Sequence, residues 1–457
     1  MNTASPKDAS FQDADKIRQQ YERLPYPHKP IEEHPSKKDQ NLNAFFTHSV
    51  ATPYYLRHQA LVDTEQAVIL DAGCGSGYKA LYLAIANPGA KVVGIDLSPE
   101  SIRWARQRFE HHQLDNCEFH VASLEDVPAL GLSFDYINCD EMLYLLPDPA
   151  AGLQTMKSVL RPDGIIRANL HSLIQRERFF RAQTLFRMMG LLDDDPGDLE
   201  ISVVQETMAA LKDQVDIKAN TWNPQCEEDS LETSEYILMN LLLQGDRGYT
   251  IPQMFSMLRA ADLEFISMVI WGNWELTALF KEADDLPAVW AMSLPDLSAE
   301  EQLRIYELLN PHNRLLDFWC GHSGGPSPKA SPATWSAVDW QGAHVYLHPL
   351  LKTAAIRQQV EDCIRSGKPF AFHEHIPISA FGSVNVDSQV MAVLLPLWDD
   401  GQPFTTLVER FQTLYPKDPV SLEPTTPQTA FTFVETWVTK LEVFLYLLVE
   451  KPASEKS

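Results

Sequence analysis

Apolar residues follow two different rhythms along this chain. Between Val68 and Asn169, short and almost continuous apolar runs alternate with segments in which apolar residues recur every three or four positions. The first rhythm is typical of buried strands and the second of amphipathic helices. Their alternation predicts an α/β fold, doubly wound, with a mostly parallel sheet. The expected strands are Ala67–Asp71, Lys91–Asp96, Cys117–Ala122, Phe134–Cys139 and Gly164–Leu170, and the expected helices are Tyr78–Ala86, Pro99–His112 and Ala151–Leu160.

The helical rhythm dominates beyond His171. Long helical runs fill residues 172–246, and the sheet pattern resumes with the helix IPQMFSMLRAA and the strand EFISMVIW. Residues 172–246 are therefore expected to form a helical insertion in the sheet domain. Residues 297–318 are expected to be helical again.

The two ends of the chain differ from the sheet domain. The first residues are expected to be disordered, and KIRQQYERL predicts a short helix that the prolines of PYPHKP stop. A segment rich in glycine, serine and proline predicts a linker, and the short helical runs after it predict a small, mainly helical, winged-helix-like domain. The expected domains are 1–45 (N-terminal segment and proline-rich strap), 46–275 (sheet domain with its insertion), 276–320 (helical extension), 321–335 (linker) and 336–457 (accessory domain).

Charge and cysteine content narrow the function classes. The 457 residues include 37 basic and 62 acidic side chains, a formal net charge of −25. This charge repels phosphate backbones and anionic lipid, so we expect neither nucleic acid nor a membrane as a partner. The six cysteines include no C-x-x-C pair, and the polar N-terminus does not resemble a signal peptide. A reducing cytoplasm is the expected compartment.

The stretch VILDAGCGSGYKAL predicts a strand, a tight glycine turn and a helix. A dinucleotide fingerprint needs a third glycine where Tyr78 stands, and a Walker A loop needs a G-K-[ST] sequence that is absent. A second acidic residue, Asp96, ends the next strand, where a carboxylate can accept both ribose hydroxyls of an adenosine. Asp71, before the turn, either orients a cationic amino group or caps the turn.

These features resemble the class I S-adenosylmethionine-dependent methyltransferases. The matching motifs are LDAGCGSG, GIDLS, ASLEDVP, FDYINCDEMLYLLPDP and LRPDGII, over about residues 60–171. The resemblance implies a sheet of the seven-stranded methyltransferase type. It also implies S-adenosyl-L-methionine as the cofactor, with its methionine end at the glycine turn, its ribose at GIDLS and its adenine at ASLEDVP. The cofactor-binding residues expected on this basis are Asp71, Gly73, Gly75, Gly77, Asp96, Leu97, Ser123, Leu124 and Cys139. Ser123 departs from the aspartate that receives the adenine amino group in many members, although a hydroxyl can still accept that bond.

Catalytic candidates lie where the strands end, because ligands of open α/β sheets bind outside the carboxyl ends of strands. They are Asp140, Glu141 and Tyr144 after the fourth strand and His171 after the fifth. A carboxylate beside a sulfonium could orient the acceptor and take its proton. The alternatives are a buried structural carboxylate for Asp140 and a helix cap or core histidine for His171.

The segment YERLPYPHKPIEEHP resembles the Y-x-x-x-P-Y-P stretch of bacterial protein-lysine methyltransferases that carry a regulatory domain. The resemblance implies that Tyr21 and Tyr26 close over the cofactor. The alternative is a rigid proline strap that packs on the core.

Three functions stay open. The chain is a methyltransferase for a protein side chain, a methyltransferase for a small metabolite with the helical insertion as a lid, or a cofactor-binding interaction protein without catalysis. No metal site is expected, because the pair His373 and His375 lacks a third ligand. The sequence does not indicate the oligomeric state.

Overall fold

The structure, a computed structural model, describes residues 18–22, 25–35, 42–223, 230–283, 285–325, 330–376, 383–418 and 420–451. The expected disorder at the start of the chain lies outside the described residues, and 18–22 of the segment KIRQQYERL are helical. The helices are α1 (18–22), α2 (Leu42–His48), α3 (Ala51–His58), α4 (Tyr78–Ala86), α5 (Pro99–His111), α6 (Pro149–Val159), α7 (Glu177–Met188), α8 (Asp198–Ala210), α9 (Asp216–Thr221), α10 (Leu231–Asn240), α11 (Ile251–Ala260), α12 (Ala288–Ser293), α13 (Ala299–Leu309), α14 (Ala337–Gly342), α15 (Ala354–Ser366), α16 (Ser388–Leu394), α17 (Phe404–Leu414) and α18 (Pro427–Val443). The strands are β1 (Val68–Ala72), β2 (Lys91–Asp96), β3 (Cys117–Val121), β4 (Phe134–Cys139), β5 (Leu160–Ser172), β6 (Gly248–Tyr249), β7 (Leu263–Met268), β8 (Leu315–His322), β9 (His344–Leu347), β10 (Phe370–Ala371), β11 (Asn385–Val386), β12 (Gln402–Pro403) and β13 (Leu447–Glu450).

The chain divides into two compact units. The first comprises Met1–Lys38, Glu65–Val269 and Trp274–Gly325, and the second comprises Asp39–Thr64, Ile270–Asn273 and Pro326–Ser457. Residues 46–64, which the sequence groups with the sheet domain, thus group with the C-terminal part. None of the helices in the described residues combines the length and the apolar character that a membrane crossing needs.

A mixed sheet forms the centre of the first unit. Among the described residues it has eight strands in the order β3-β2-β1-β4-β5-β8-β7, and β6 pairs with β5. Strands β1 to β5 are parallel, whereas β8 is antiparallel to both of its neighbours. The central strands are buried along almost their whole length, as expected for a sheet with helices on both faces. The predicted α/β fold is confirmed, and the five strands and three helices expected between Ala67 and Leu170 are present with small shifts of their ends.

Strand β8 lies in a segment that the sequence predicts to be helical. Residues 297–318 were expected to be helical, but α13 ends at Leu309 and β8 then pairs with both β5 and β7. Its residues are largely buried because it lies inside the sheet. Gly321 and His322, expected at the start of the linker, are therefore the last residues of this strand.

Helices α7 to α10 form the expected helical insertion. Their apolar faces share a cluster separate from the sheet core, with members that include Ala182, Phe186, Val204, Met208, Ile237 and Leu241. Their side chains are 0% exposed. The insertion therefore has a small core of its own.

The second unit combines helices α14 to α18 with a short antiparallel sheet in the order β12-β9-β13. Helix α3 belongs to it through two buried side chains. The Tyr55 hydroxyl donates to Glu442 Oε1 over 2.9 Å and accepts from the Val449 N–H over 3.0 Å. Thr52 Oγ1 lies 3.0 Å from His348 Nε2. The mainly helical character agrees with the expectation, and a winged-helix arrangement stays a prediction.

Candidate cofactor and acceptor site

A cavity of about 740 Å³ lies in the first unit at the carboxyl ends of β1 to β4. Residues from the turn after each strand line it, together with residues from α1 and from the segment 25–35. This is the edge at which open α/β sheets bind ligands. Of the expected site residues, those that line the cavity are Tyr21, Tyr26, Gly73, Gly75, Asp96, Leu97, Ser123, Leu124, Asp140 and Glu141.

The glycine turn is built for close approach of other parts of the chain. Gly75 and Gly77 have φ values of 51° and 78°, which glycine adopts without strain. A Cβ on Gly75 would collide with the backbone carbonyl of Tyr26, and one on Gly77 would lie 2.7 Å from the Cβ of Ala105 on α5. The turn thus requires glycine for packing, and Gly77 itself does not contribute to the cavity wall among the described residues.

The proline strap, residues 25–35, packs directly on this turn. The Ser76 N–H donates to the Tyr26 carbonyl over 3.0 Å, and the Ser76 hydroxyl donates to the Pro27 carbonyl over 2.7 Å. The strap is therefore fixed to the core while it brings Tyr26 to the cavity. The two interpretations of the YERLPYP segment are compatible: it is a packed strap, and its tyrosines line the cavity.

Arg108 on α5 holds the same strap from the other side. Its fully buried guanidinium donates to the carbonyls of Pro30 and Lys29, each over 2.8 Å, and to that of Ser76 over 3.1 Å. An arginine can satisfy several carbonyls at once because its donors form a planar fork. One side chain therefore links the strap, the glycine turn and α5.

The helical insertion contacts α1 rather than the cavity. Gln20 Nε2 donates to the carbonyls of Leu238 and Leu242 over 3.3 and 3.4 Å, and Gln20 Oε1 accepts from the Gln244 N–H over 3.3 Å. Helix α1 carries Tyr21, which lines the cavity. None of the described residues between 172 and 246 lines it. The insertion thus supports the wall of the cavity from outside.

Asp96 presents a carboxylate at the end of β2. Its Oδ2 accepts from the Gly75 N–H over 3.0 Å and its Oδ1 from the Ser98 N–H over 2.9 Å. Burial raises the pKa of Asp96, and the two backbone hydrogen bonds act in the opposite direction. The side chain is held in place at the cavity and keeps further lone pairs for a ligand.

Asp71 lies beneath the glycine turn and is not part of the cavity wall. Its Oδ1 accepts from Asn138 over 2.8 Å, while its buried Oδ2 has no hydrogen-bond partner among the described residues. Burial raises the pKa of Asp71 to about 6. Its negative charge is therefore costly in this environment.

Asp140 is surrounded by hydrogen-bond donors. Its carboxylate lies 2.6 Å from Lys79 Nζ and 3.4 Å from Arg167 Nη2, and it accepts from Asn169 Nδ2 over 2.5 Å. Arg167 also binds Asp317 over 2.8 Å. Asp140 is therefore one member of a nearly buried network of charges that faces the cavity.

Glu141 has a left-handed backbone, with a φ of 60°, which is uncommon for a side chain of this kind. Its N–H donates to Asn169 Oδ1 over 2.9 Å, its carboxylate forms a two-point ion pair with Arg314, and the Tyr144 hydroxyl donates to it over 2.8 Å. Burial acts to raise the pKa of Glu141, but Arg314 and Lys79 outweigh it and lower the pKa to about 2.

Tyr144 and His171 lie behind this carboxylate. They stack with ring centroids 3.8 Å apart, and both are buried. His171 Nδ1 lies 2.6 Å from Asp246 and Nε2 lies 3.1 Å from Arg314. Because arginine can only donate, Nε2 accepts and the ring is neutral, with its proton on Nδ1. Burial lowers the pKa of His171, although Asp246 acts to raise it.

Neither ring lines the cavity, and the same is true of Cys139, which is fully buried. Sequence reasoning also missed three cations that bind Asp140 and Glu141, namely Lys79, Arg167 and Arg314. Lys79 lies in the first turn of α4, and its position directly after the glycine turn is a sequence signal that could have identified it. Arg314 is a lone basic residue before an unexpected strand, and no pattern marks it.

The mostly parallel sheet, the glycine turn after β1 and the acidic end of β2 define a Rossmann-like cofactor-binding domain. Residues 63–245 match the family model of a methyltransferase domain. This part of the chain therefore matches a methyltransferase domain, and its fold and motifs are those expected for the class I, S-adenosylmethionine-dependent type.

Two relatives match parts of the chain. The chain is 27% identical over 286 residues to an uncharacterized protein of Synechococcus, a match of 61% of this chain and 64% of the relative. It is 37% identical over 103 residues to a ubiquinone biosynthesis O-methyltransferase of Actinobacillus pleuropneumoniae, a match of 21% of this chain and 43% of that protein. The chain therefore spans less than two thirds of the length of either relative.

A similar fold is found in PKMT2 from Rickettsia typhi. The TM-score is 0.56 at 16% sequence identity, over 90% of this chain and 76% of that one. The Rickettsia protein has also been solved in complex with AdoHcy, with a TM-score of 0.55 over 89% of this chain and 77% of that one. This likeness describes the fold.

The residues of the cavity fit S-adenosylmethionine as the cofactor. Asp96 provides acceptors for ribose hydroxyls, and the glycine turn presents backbone groups. Five acidic residues and two basic residues line the cavity, so a positively charged sulfonium is favoured electrostatically.

Proposed function

We propose that this protein is an S-adenosylmethionine-dependent methyltransferase whose acceptor is an amino group of a protein side chain. The cofactor supplies a methyl group that is already activated on a sulfonium. The strand order supports its placement: the adenine at the end of β3, the ribose at Asp96 on β2, the methionine end at the glycine turn after β1, and the acceptor at the end of β4. The protein then mainly orients the nucleophile.

The ion pairs of Asp140 and Glu141 are the observation that favours an amine as the methyl acceptor. A hydroxyl acceptor needs a base in the site, whereas an amine can lose its proton to water before transfer. Both carboxylates at the end of β4 are paired with cations, and the low pKa of Glu141 makes it a weak base. Their geometry supports orientation of an amine more than removal of a proton.

The tyrosines and the acidic lining support the same acceptor. Tyr21 and Tyr26 line the cavity and can contribute hydroxyl groups and ring faces near a cationic amine. The excess of acidic over basic residues in the wall favours entry of a positive charge. The segment that carries both tyrosines also resembles the strap of bacterial protein-lysine methyltransferases.

The test measures methyl transfer from radiolabelled cofactor to the components of a cell extract. Two samples are compared: an extract from which small molecules have been removed, and the same extract after the small molecules have been added back. We expect label in the protein fraction, and we expect its loss when the extract's amines are acetylated beforehand. Asp96→Ala is the matched control, because it should weaken cofactor binding by about 1.5–3 kcal/mol, the range for hydrogen bonds to a charged group.

Label in small molecules that resists acetylation would instead support the second candidate, a small-metabolite O-methyltransferase. The match to ubiquinone O-methyltransferases favours that candidate. Against it, no described residue of the helical insertion lines the cavity as a lid would. Binding of S-adenosylhomocysteine without any transfer would support a non-catalytic cofactor-binding protein.

A further inference from the structure

Asp126 is an acidic residue of the cavity wall to which the methyltransferase resemblance gives no individual role. It lies in the 3-10 turn Leu124–Leu130 that follows β3, and it lines the cavity together with Ser123 and Leu124. Its side chain is exposed to the cavity edge rather than packed in the core. Its position therefore allows contact with a ligand.

The topology places the base of a bound adenosine at this end of the cavity. Strand β3 is the immediate neighbour of β2 and lies on the side away from β1. If the ribose lies at Asp96 on β2, with the methionine end at the turn after β1, the adenine extends toward the end of β3. This step rests on the proposed function.

Ser123, at the end of β3, already donates hydrogen bonds to Asp126. Its hydroxyl donates to Asp126 Oδ2 over 2.7 Å, and its backbone N–H donates to the same oxygen over 3.2 Å. The other oxygen, Oδ1, receives no hydrogen bond from the described residues. The hydrogen bonds from Ser123 lower the pKa of Asp126, so the carboxylate is ionised at neutral pH.

We infer that Asp126 accepts the hydrogen bond from the exocyclic amino group of adenine, and that Ser123 is the positioning residue that holds this carboxylate. A carboxylate three residues downstream thus replaces the aspartate that many class I methyltransferases carry at the position of Ser123. An ionised acceptor binds an amino group more strongly than a hydroxyl does. The departure at Ser123 then leaves recognition of adenine intact.

The experiment compares two ligands by calorimetry: S-adenosylhomocysteine and its purine analogue without the exocyclic amino group. We expect the wild-type protein to prefer the adenosyl compound by roughly five- to tenfold, as for one hydrogen bond to a charged group at a partly exposed site. Asp126→Asn keeps an oxygen for Ser123 and turns an amide NH₂ toward the base, so this preference should disappear. Glu125→Gln, a neighbouring acidic residue of the cavity wall, should keep it.

Ser123→Ala separates the two assignments. If Ser123 only positions Asp126, removal of its hydroxyl should reduce the preference for the adenosyl compound only partly, because the Ser123 N–H still holds Asp126. Loss of the preference in Ser123→Ala with retention in Asp126→Asn would overturn the inference and make Ser123 the acceptor. A wild-type protein that binds both compounds equally would also overturn it, while failure to bind either compound would overturn the proposed function as well.

Discussion

Asp140 and Glu141 follow each other at the end of β4, but different cations hold them. Lys79 and Arg167 surround Asp140, whereas Arg314 binds Glu141 in a two-point ion pair. The unusual φ of Glu141 turns the chain so that its carboxylate and that of Asp140 reach these separate partners. Strained backbone of this kind is often found at functional sites.

This arrangement predicts that Asp140→Asn acts mainly on stability. Removing one partner of a buried ion pair leaves its cations uncompensated, and we expect a loss of about 3 kcal/mol or more in the free energy of unfolding. The double variant Lys79→Met with Asp140→Asn should recover part of this loss, since the two residues interact directly. Urea unfolding of the four proteins of this cycle measures the coupling.

The same cycle tests Asp140 as a general base, the role expected from the sequence. If Asp140 removes the acceptor proton, the double variant should fold but lose about 10²–10⁴-fold in turnover. If it orients the acceptor within the charge network, the turnover of the folded double variant should fall much less, with an unchanged pH profile. A cycle without coupling in stability would contradict the structural role.

Asp71 provides a prediction about pH. Its pKa in the folded protein is about 6, against an ordinary value of 3.8. Between pH 3.8 and about pH 6, Asp71 keeps a proton in the folded state that it has lost in the unfolded state. The free energy of unfolding therefore falls as the pH rises. From about pH 4 to about pH 7.5 the cost is about 2 kcal/mol, since a difference of one in pKa corresponds to about 1.4 kcal/mol.

Asp71→Asn should remove that share of the pH dependence. Urea titrations at both pH values measure it, and the decline in unfolding free energy should be about 2 kcal/mol smaller in the variant than in the wild type. Because the change in slope is compared, a constant effect of the new amide cancels. An identical decline in both proteins would show that Asp71 is ionised without cost.

At the scale of elements, the sheet is predictable where apolar runs alternate with amphipathic helices, as from β1 to β5. The failure at β8 has a physical cause. A short apolar run such as LLDFWCGH has no period that separates a buried strand from the end of a helix, and only its pairing with β5 and β7 decides. Arg314, which precedes β8, could not be assigned to the site for the same reason.

The cofactor-binding half of the site is easier to predict from the sequence than the acceptor half. Gly75 and Asp96 stand in one continuous motif region, and local geometry fixes both. Tyr144 and His171 were expected at the cavity because they follow strand ends, but stacking on each other places them behind Glu141. Side-chain packing of this kind depends on residues such as Asp246 that are distant in sequence.

The proline strap yields a prediction for an element. Arg108→Lys keeps the charge, but one ammonium group cannot reach the carbonyls of Lys29, Pro30 and Ser76 together. We expect a loss of at least about 2 kcal/mol in stability, given about 1.5–3 kcal/mol for a hydrogen bond to a charged group. Cleavage after Glu32 by a glutamate-specific protease should become faster, and the affinity for S-adenosylhomocysteine should fall.

Arg103→Lys is the matched control, because Arg103 is exposed on the same helix and pairs with Glu100. Its stability should equal that of the wild type, as for most surface substitutions. If Arg108→Lys leaves the rate of cleavage after Glu32 unchanged, the strap is held by other contacts.

For the whole molecule, the division into two units predicts more than one unfolding transition. The second unit is not a simple C-terminal appendage, since Asp39–Thr64 belongs to it. A fragment that ends at Gly325 would keep α3 but lack the residues that pair with Tyr55. The full chain is therefore the proper object for a test of the two units.

We expect Tyr55→Phe and S-adenosylhomocysteine to shift different transitions of the full chain in calorimetry. Loss of the Tyr55 hydroxyl leaves Glu442 and the Val449 N–H without this partner, at a cost of about 1–3 kcal/mol for a buried group. The ligand at 100 times its Kd should stabilise the first unit by about 2.7 kcal/mol.

The matched control for this last experiment is Tyr415→Phe, since the Tyr415 hydroxyl has no hydrogen-bond partner among the described residues and its removal should change little. In the Tyr55→Phe protein, the transition that the ligand raises should keep its wild-type midpoint, while the other should move to lower temperature. The reason is that the ligand binds the first unit and Tyr55 stabilises the second. A single transition that responds equally to the ligand and to the substitution would mean that the two units unfold as one.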